Sequence, residues 1–346
     1  MGGYLFYPDA QTNFMNKKKL WFIIPLLLFI GYLMGPKPAT PVYKKDMPAI
    51  PEQAAQLEEY IREKEMKHKV KPDNDARIIW FNDSVRNKTE YSIVYLHGFS
   101  ASQEEGDPVH RNVAKKFGCN LFLTRLAEHG IDTVDAMKKL SVDKYWESVK
   151  EALAIGKQLG NKVILMGTST GGTNALQLAA AFPNDVHALI LLSPNIAIND
   201  KNAWLLNNPW GLQMATIVKG SRYIDSKDQR DIYKKYWYSH YRLESVVALQ
   251  EMLESSMTKE TFSKINQPAL LLYYYKDEVH QDSVVRVRAM KEMFDQLQTE
   301  SSQKRIQVMP NTGDHVIGSP IKSKDTEGVE REIEKFMVEI LKMPMQ

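Results

Sequence analysis

Among 346 residues there is one cysteine, Cys119. An intramolecular disulfide is thereby excluded, and a thiolate zinc site is argued against. An excess of either charge is lacking too. Lys and Arg number 45 against 42 Asp and Glu, a net of +3, and the basic residues are scattered. No basic stripe is interleaved with stacking aromatics, which speaks against a nucleic-acid partner. There is no internal repeat and no long low-complexity tract. A P-loop is missing as well: the Gly-rich turn that follows a strand-like run carries no Gly-Lys-Ser/Thr. What remains, 43% hydrophobic and 25% charged, is an ordinary globular composition. The length suits one large α/β domain with added segments.

Long apolar runs are also absent, with one exception. LWFIIPLLLFIGYLM, Leu20 to Met34, carries no charge and follows Lys17, Lys18 and Lys19. It is short for a spanning helix, which needs about 20 apolar residues. A clean A-x-A cleavage signal is missing. Trp21 and Tyr32 sit near its ends, where interfacial aromatics belong. The expectation is a tail over 1–19 and a single-pass anchor over 20–34. The lysine cluster puts the rest of the chain outside the cytoplasm. The alternative is a cleaved signal that leaves the domain secreted or periplasmic. Residues 35–75 read as a Pro-rich linker (PKPATPVY) and a polar spacer helix from Pro51 to His68.

From residue 76 the pattern changes. Short apolar runs such as YSIVYL, KVILMG, VHALILL and PALLLYYY alternate with amphipathic stretches. That alternation predicts a mostly parallel sheet covered by helices on both faces, over 76–346. The region 195–266 breaks it. It has no convincing strand and holds Trp204, Trp210, Tyr233 and Trp237 among other aromatics. So long a stretch does not stay bare loop in a compact domain. It reads as a helical cap over the carboxyl edge of the sheet.

The chemistry centres on Gly167-Thr168-Ser169-Thr170-Gly171. A strand, a tight turn and a helix in succession place Ser169 at the turn, its hydroxyl above the sheet. Gly167 and Gly171 must be small, because strand and helix nearly touch there. The start of the helix offers free N–H groups to an anion forming at Ser169. A serine hydroxyl needs a base. His315, in GDHV after the strand KRIQV, stands late in the chain at a strand end, where it can meet Ser169. Asp277 is the first carboxylate after LLLYYYK and is the expected acid. Glu278 and Asp282 are rivals a few residues on. The order Ser169, Asp277, His315 is that of α/β-hydrolase triads. In YLHGFSAS, the strand ends at His97-Gly98-Phe99. The backbone N–H groups of Phe99 and Thr170 can pair as an oxyanion hole, with His97 as a structural hydrogen-bonder.

On these motifs, residues 76 to the C-terminus resemble the α/β-hydrolase superfamily, and within it monoacylglycerol lipases and carboxylesterase-like serine hydrolases. HGFSAS is similar to the family's oxyanion loop, GTSTGG to its elbow, YYYKDEV to its acid strand and GDHV to its histidine loop. Trp146 stands where this group often has a Trp before the elbow strand. The resemblance implies Ser169 as nucleophile, Asp277 as acid, His315 as base, and Phe99 and Thr170 as oxyanion donors. It implies an esterase or lipase acting on small-molecule or lipid esters, with no cofactor or metal. Two alternatives stay open: an acyltransferase with the same triad, and a catalytically silent binding protein of the same fold.

Overall fold

The protein is described as a computed structural model covering residue 3 and residues 17–346. Most of the expected tail, residues 1, 2 and 4–16, lies outside the described residues.

The central sheet is built from the apolar runs. Its strands are β1 (Arg77–Ile79), β2 (Thr89–Leu96), β3 (Asn120–Leu123), β4 (Gly160–Thr168) and β5 (Ala188–Leu192). Beyond the 195–266 region come β8 (Ala269–Tyr273) and β9 (Lys304–Val308). Their order is β1-β3-β2-β4-β5-β8-β9, parallel throughout except for β1 against β3. Alternate side chains of each strand belong to opposite faces. Val94, Leu96, Val163 and Leu165 pack on one side, against α4 (Val142–Leu159) and α5 (Thr170–Ala181). Ile93, Tyr95, Ile164 and Met166 face the other, under α3 (Val109–Lys116) and α11 (Thr326–Glu339). Helix α10 (Val287–Gln296) closes the first layer beyond α5. Burial on both faces explains why β4, β5 and β8 are runs of apolar residues without alternation. Phe336, fully buried from α11, is one anchor of the second layer; its truncation to Ala would cost about 3–5 kcal/mol.

One expectation for the N-terminal region is corrected. The apolar run forms α1 (Lys17–Leu33), a helix of 17 residues with Pro25 inside it. At 1.5 Å per residue it reaches ~25 Å, short of the ~30 Å hydrocarbon core. Among the described residues no helix is long and apolar enough to cross a membrane. The spanning segment at 20–34 is therefore not supported. The Pro-rich linker that follows is docked on the domain. It lies as a strap along α4 and the cap: Trp146 Nε1 donates to Lys44 O at 2.7 Å and Lys150 Nζ to Asp46 O at 2.6 Å. The spacer helix appears as α2 (Ala54–Glu65), seated on the core through Leu57 and Ile61.

The 195–266 region is not purely helical. It holds α6 (Gly211–Lys219), β6 (Tyr223–Asp225), α7 (Asp231–Tyr236), β7 (His240–Arg242), α8 (Leu243–Ser256) and α9 (Lys259–Phe262). Strands β6 and β7 pair antiparallel as a separate small sheet. Strands of three residues are too short to show a period-two pattern, which is why the sequence read as helix throughout.

Candidate active site

Strands β2, β4, β8 and β9 all deliver a chemically useful loop at their carboxyl ends, the usual place for a site in such a sheet. Strand β4 delivers Ser169. Its φ of 53° and ψ of −119° lie in a region that side-chain-bearing residues rarely occupy. The backbone is held there by Ser169 N donating to Leu192 O at 2.9 Å, and by Ser169 O accepting from Gly172 and Asn195 N–H. The flanking glycines are obligatory. A Cβ on Gly171 would lie 1.8 Å from Leu96 O, and one on Gly167 2.4 Å from the Gly171 carbonyl. The expectation of an elbow at this turn agrees with the geometry.

Strand β9 leads to His315. Its Nδ1 lies 2.6 Å from Asp282 Oδ2, and both side chains are buried. The other carboxylate oxygen of Asp282 accepts from Val284 and Val285 N–H at 2.9 and 3.0 Å. Asp282 is thus fixed as an acceptor before it meets the imidazole. Burial works against a charged imidazole, but the Asp282 charge and hydrogen bond, helped by Glu105 and Asp314, carry the His315 pKa above its ordinary value. Among the described residues its buried Nε2 has no hydrogen-bond partner. His315 and Ser169 line the same cavity, of about 490 Å³.

Asp277 is not brought to His315, which corrects the expected acid. It sits on an exposed turn, where its Oδ1 accepts from Val279 and His280 N–H and its carboxylate meets the His280 ring at 2.9 Å. Glu278 is exposed too, tied to Tyr275 OH. The reason is local. Strand β8 stops at Tyr273, and the chain makes a small antiparallel excursion in which Tyr275 bridges to Gln281. Asp282 N then donates back to Tyr274 O at 3.1 Å, returning that residue to the strand end. The first carboxylate in sequence lies on the excursion; the one at the strand end comes after it.

Strand β2 delivers the loop His97–Ser100. Among the described residues the Phe99 N–H has no acceptor, whereas the backbone groups of Gly98 and Ser100 on either side are held. Gly98 N donates to Glu105 Oε2, and Gly98 O accepts from His97 Nδ1 at 3.0 Å. Ser100 N donates to His129 Nε2 at 3.1 Å, and Ser100 O accepts from Tyr238 N at 2.8 Å. The His97 Nε2 accepts from Leu126 N and His129 Nδ1 donates to Ala127 O, so both rings are neutral. Burial is the main cause, taking His97 down to about 4 and His129 well below its usual value. Thr170 opens α5, so its N–H belongs to the unsatisfied first turn beside Ser169. His97 is placed as a structural hydrogen-bonder, as expected. His129 and Glu105 escaped the sequence reading, and nothing in AEHGID or SASQEEG marks them out.

The cap supplies one wall of the cavity through Tyr233, Trp237, Tyr241 and Leu249. The floor is more polar, with Ser169, Asn195, Glu105 and His315. Burial pushes the Glu105 carboxyl up to about 8, against the lowering effect of Gly98 N–H and the His315 charge.

A family model described as serine aminopeptidase, S33, matches residues 122–316, more than half of the chain. The chain belongs to this α/β-hydrolase family. The matched span takes in Ser169, Asp282 and His315 and stops short of the His97–Ser100 loop. Among solved structures, one of the metagenome-derived lipolytic enzymes LipS and LipT superposes with a TM-score of 0.61 at 15% identity, covering 78% of this chain and 98% of that one. The monoacylglycerol lipase of Paleococcus ferrophilus gives 0.54 at 15%, over 76% and 97%. A soluble variant of the monoglyceride lipase of Saccharomyces cerevisiae gives 0.56 at 12%, over 76% and 90%. At such identities these likenesses establish the α/β-hydrolase fold alone. No curated protein sequence matches the chain significantly.

Proposed function

We propose that the protein is a serine hydrolase of carboxylic esters that works through an acyl-enzyme, with Ser169, His315 and Asp282 as its triad. The observation that carries this is the His315–Asp282 bond, which leaves an unpartnered Nε2 in the cavity that holds the strained Ser169. Ser169 Oγ attacks the ester carbonyl while His315 Nε2 takes its proton. The oxyanion is received by Phe99 and Thr170 N–H, donors fixed before reaction and so free of reorganisation cost. His315 then protonates the departing alcohol. Water attacks the acyl-enzyme, with His315 again as base, and the acid leaves. Asp282 holds the imidazole in the tautomer that presents a free Nε2 and stabilises the imidazolium.

Ester rather than peptide substrates fit the aromatic and aliphatic cap wall and the lipases and esterases among the structural neighbours. The aminopeptidase description of the family favours a second reading, hydrolysis of aminoacyl amides. Paired assays separate them. p-Nitrophenyl esters of graded acyl length are set against aminoacyl p-nitroanilides, with a fluorophosphonate probe reporting on Ser169. Ester turnover and labelling, both lost in Ser169→Ala, are expected. Turnover of the anilides alone would replace the ester reading, and absence of labelling would leave a silent fold. Added acceptor alcohol tests for acyl transfer. A location outside the cytoplasm rests on Lys17, Lys18 and Lys19 alone, ahead of the apolar run; cell fractionation with N-terminal sequencing tests it.

A further inference from the structure

The Phe99 N–H can serve as an oxyanion donor only if the peptide that carries it faces the cavity. That peptide joins Gly98 to Phe99, so its tilt is set by what Gly98 does on either side. The Gly98 carbonyl is taken from within its own loop, by His97 Nδ1 at 3.0 Å and Ala101 N–H at 3.3 Å. The Gly98 N–H is taken by Glu105, which arrives from the short 3-10 turn Gln103–Gly106. The contact is close on all sides: a Cβ built on Gly98 would lie 2.8 and 2.9 Å from the two Glu105 oxygens and 3.1 Å from Ser169 Cβ. Gly98 is thus in close contact with both the Glu105 carboxyl and the nucleophile's Cβ. Glu105 is almost completely buried, at 2% exposure, and takes no part in the triad. Trp237, from the cap, lines the same cavity as it does.

Resting on the ester-hydrolase reading, we infer that Glu105 is a positioning residue for the oxyanion hole: by accepting from Gly98 N–H it fixes the tilt of the Gly98–Phe99 peptide and aims the Phe99 N–H at the reacting carbonyl oxygen. A buried amide N–H left without an acceptor costs about 1–3 kcal/mol and would turn to find another partner. Turning Gly98 turns Phe99 with it. The role asks for an acceptor at this reach, not for a charge. The oxygen of a side-chain amide at the same reach can accept from Gly98 N–H as the carboxyl does.

The test compares Glu105→Leu with Glu105→Gln in the full chain, using a p-nitrophenyl ester at neutral pH and an alkyl boronic acid as a tetrahedral mimic. Glu105→Leu is expected to lower kcat by about 10–100-fold with KM within about threefold, below the 10²–10³ seen when a donor is removed outright. Boronate affinity falls in step with kcat. Glu105→Gln restores kcat to within about threefold of the parent. If Glu105→Leu does not fold by circular dichroism, Glu105→Asp, whose arm falls short of Gly98, takes its place with the same expectation. Three results would overturn the inference: full kcat in the shortened or apolar variant, a change confined to KM, or a Gln variant as impaired as Leu. An inactive parent enzyme, by contrast, would refute the ester-hydrolase reading itself.

Discussion

His315 Nδ1 lies 2.6 Å from Asp282 Oδ2, while Asp277, nearer in sequence to the end of β8, turns its carboxylate to His280 on the surface. The two acids are therefore expected to behave differently. Asp282→Asn should lower kcat by about 10⁴-fold, because an amide can hold the wrong tautomer and cannot stabilise the imidazolium. Asp277→Asn, on a half-exposed side chain, should stay within about twofold of the parent, as surface ion pairs contribute little. The pH profile gives the sign. Asp282 raises the His315 pKa, so the acid limb of kcat/KM in the parent lies above the ordinary value of about 6.5. In Asp282→Asn the limb should move to lower pH. A severe Asp277→Asn and a mild Asp282→Asn would reverse the assignment.

The carboxylate illustrates how far sequence reading reached. Strands β2, β4, β5 and β8 were legible because two-sided burial forces uninterrupted apolar runs. The elbow was legible because Gly167 and Gly171 are required by backbone contact, and His315 because of its place after β9. Asp282 was legible only as one of three candidates. The excursion between Tyr273 and Asp282 is held by the Tyr275–Gln281 bridge and by Lys276 N donating to His280 O, pairings that no composition announces. Glu105 stands beside Glu104 in the sequence, and only the folded turn buries one at Gly98. The docking of the strap was not legible for a related reason. Proline content marks a segment as non-helical, but not whether it is docked.

The strain at Ser169 is expected to appear as stability. A non-glycine residue at φ 53° and ψ −119° costs about 1–3 kcal/mol. Ser169→Ala removes the hydroxyl and keeps the strain; Ser169→Gly removes both. Both variants should be inactive, with kcat down on the order of 10⁶-fold. Ser169→Gly should nonetheless be more stable than Ser169→Ala by about 1 kcal/mol. Chemical denaturation of the two proteins measures this. Equal midpoints would mean that the elbow conformation is not strained.

Acid should destabilise the fold through buried histidines. His97 and His110 are held down to about 4, and His129 well below its usual value, chiefly by burial. An unfolded histidine titrates near 6.5. Their folded values are depressed, so the stability they contribute is complete above about 6.5. It is lost as pH falls from there through about 4, as protons bind the unfolded chain first. At ~1.4 kcal/mol per unit, His97 alone accounts for about 3 kcal/mol at the bottom of that window. Urea midpoints should fall steadily between pH 7 and 4.5. His110→Asn should flatten the slope, since His110 Nε2 meets only Gln103 O and its Nδ1 is unpartnered. An unchanged slope in that variant would remove His110 from the account.

The strap between α1 and α2 is expected to act as part of the fold. Beyond the bonds from Trp146 and Lys150, Val42 N donates to Asp143 Oδ1 at 2.9 Å and Trp210 N donates to Pro36 O at 2.9 Å. The Tyr43 ring stands edge-on to Trp146 at 5.6 Å. Lys150 is fully buried beneath it, with the Asp46 carbonyl as one of its acceptors. At about 1 kcal/mol per net hydrogen bond, the strap's contribution is about 3–4 kcal/mol before the Tyr43 contact is added. Two truncations isolate it. A chain beginning at residue 36 keeps the strap and loses α1; a chain beginning at residue 51 loses both. The first should retain most of the parent's melting temperature. The second should melt several degrees lower and show Trp146 fluorescence shifted to the red as the indole meets water. Ester turnover at 25 °C should persist in both, because no strap residue lines the cavity that holds Ser169 and His315. If the two truncated chains melt together, the strap is only a tether laid on the surface, and the burial of Lys150 does not depend on it.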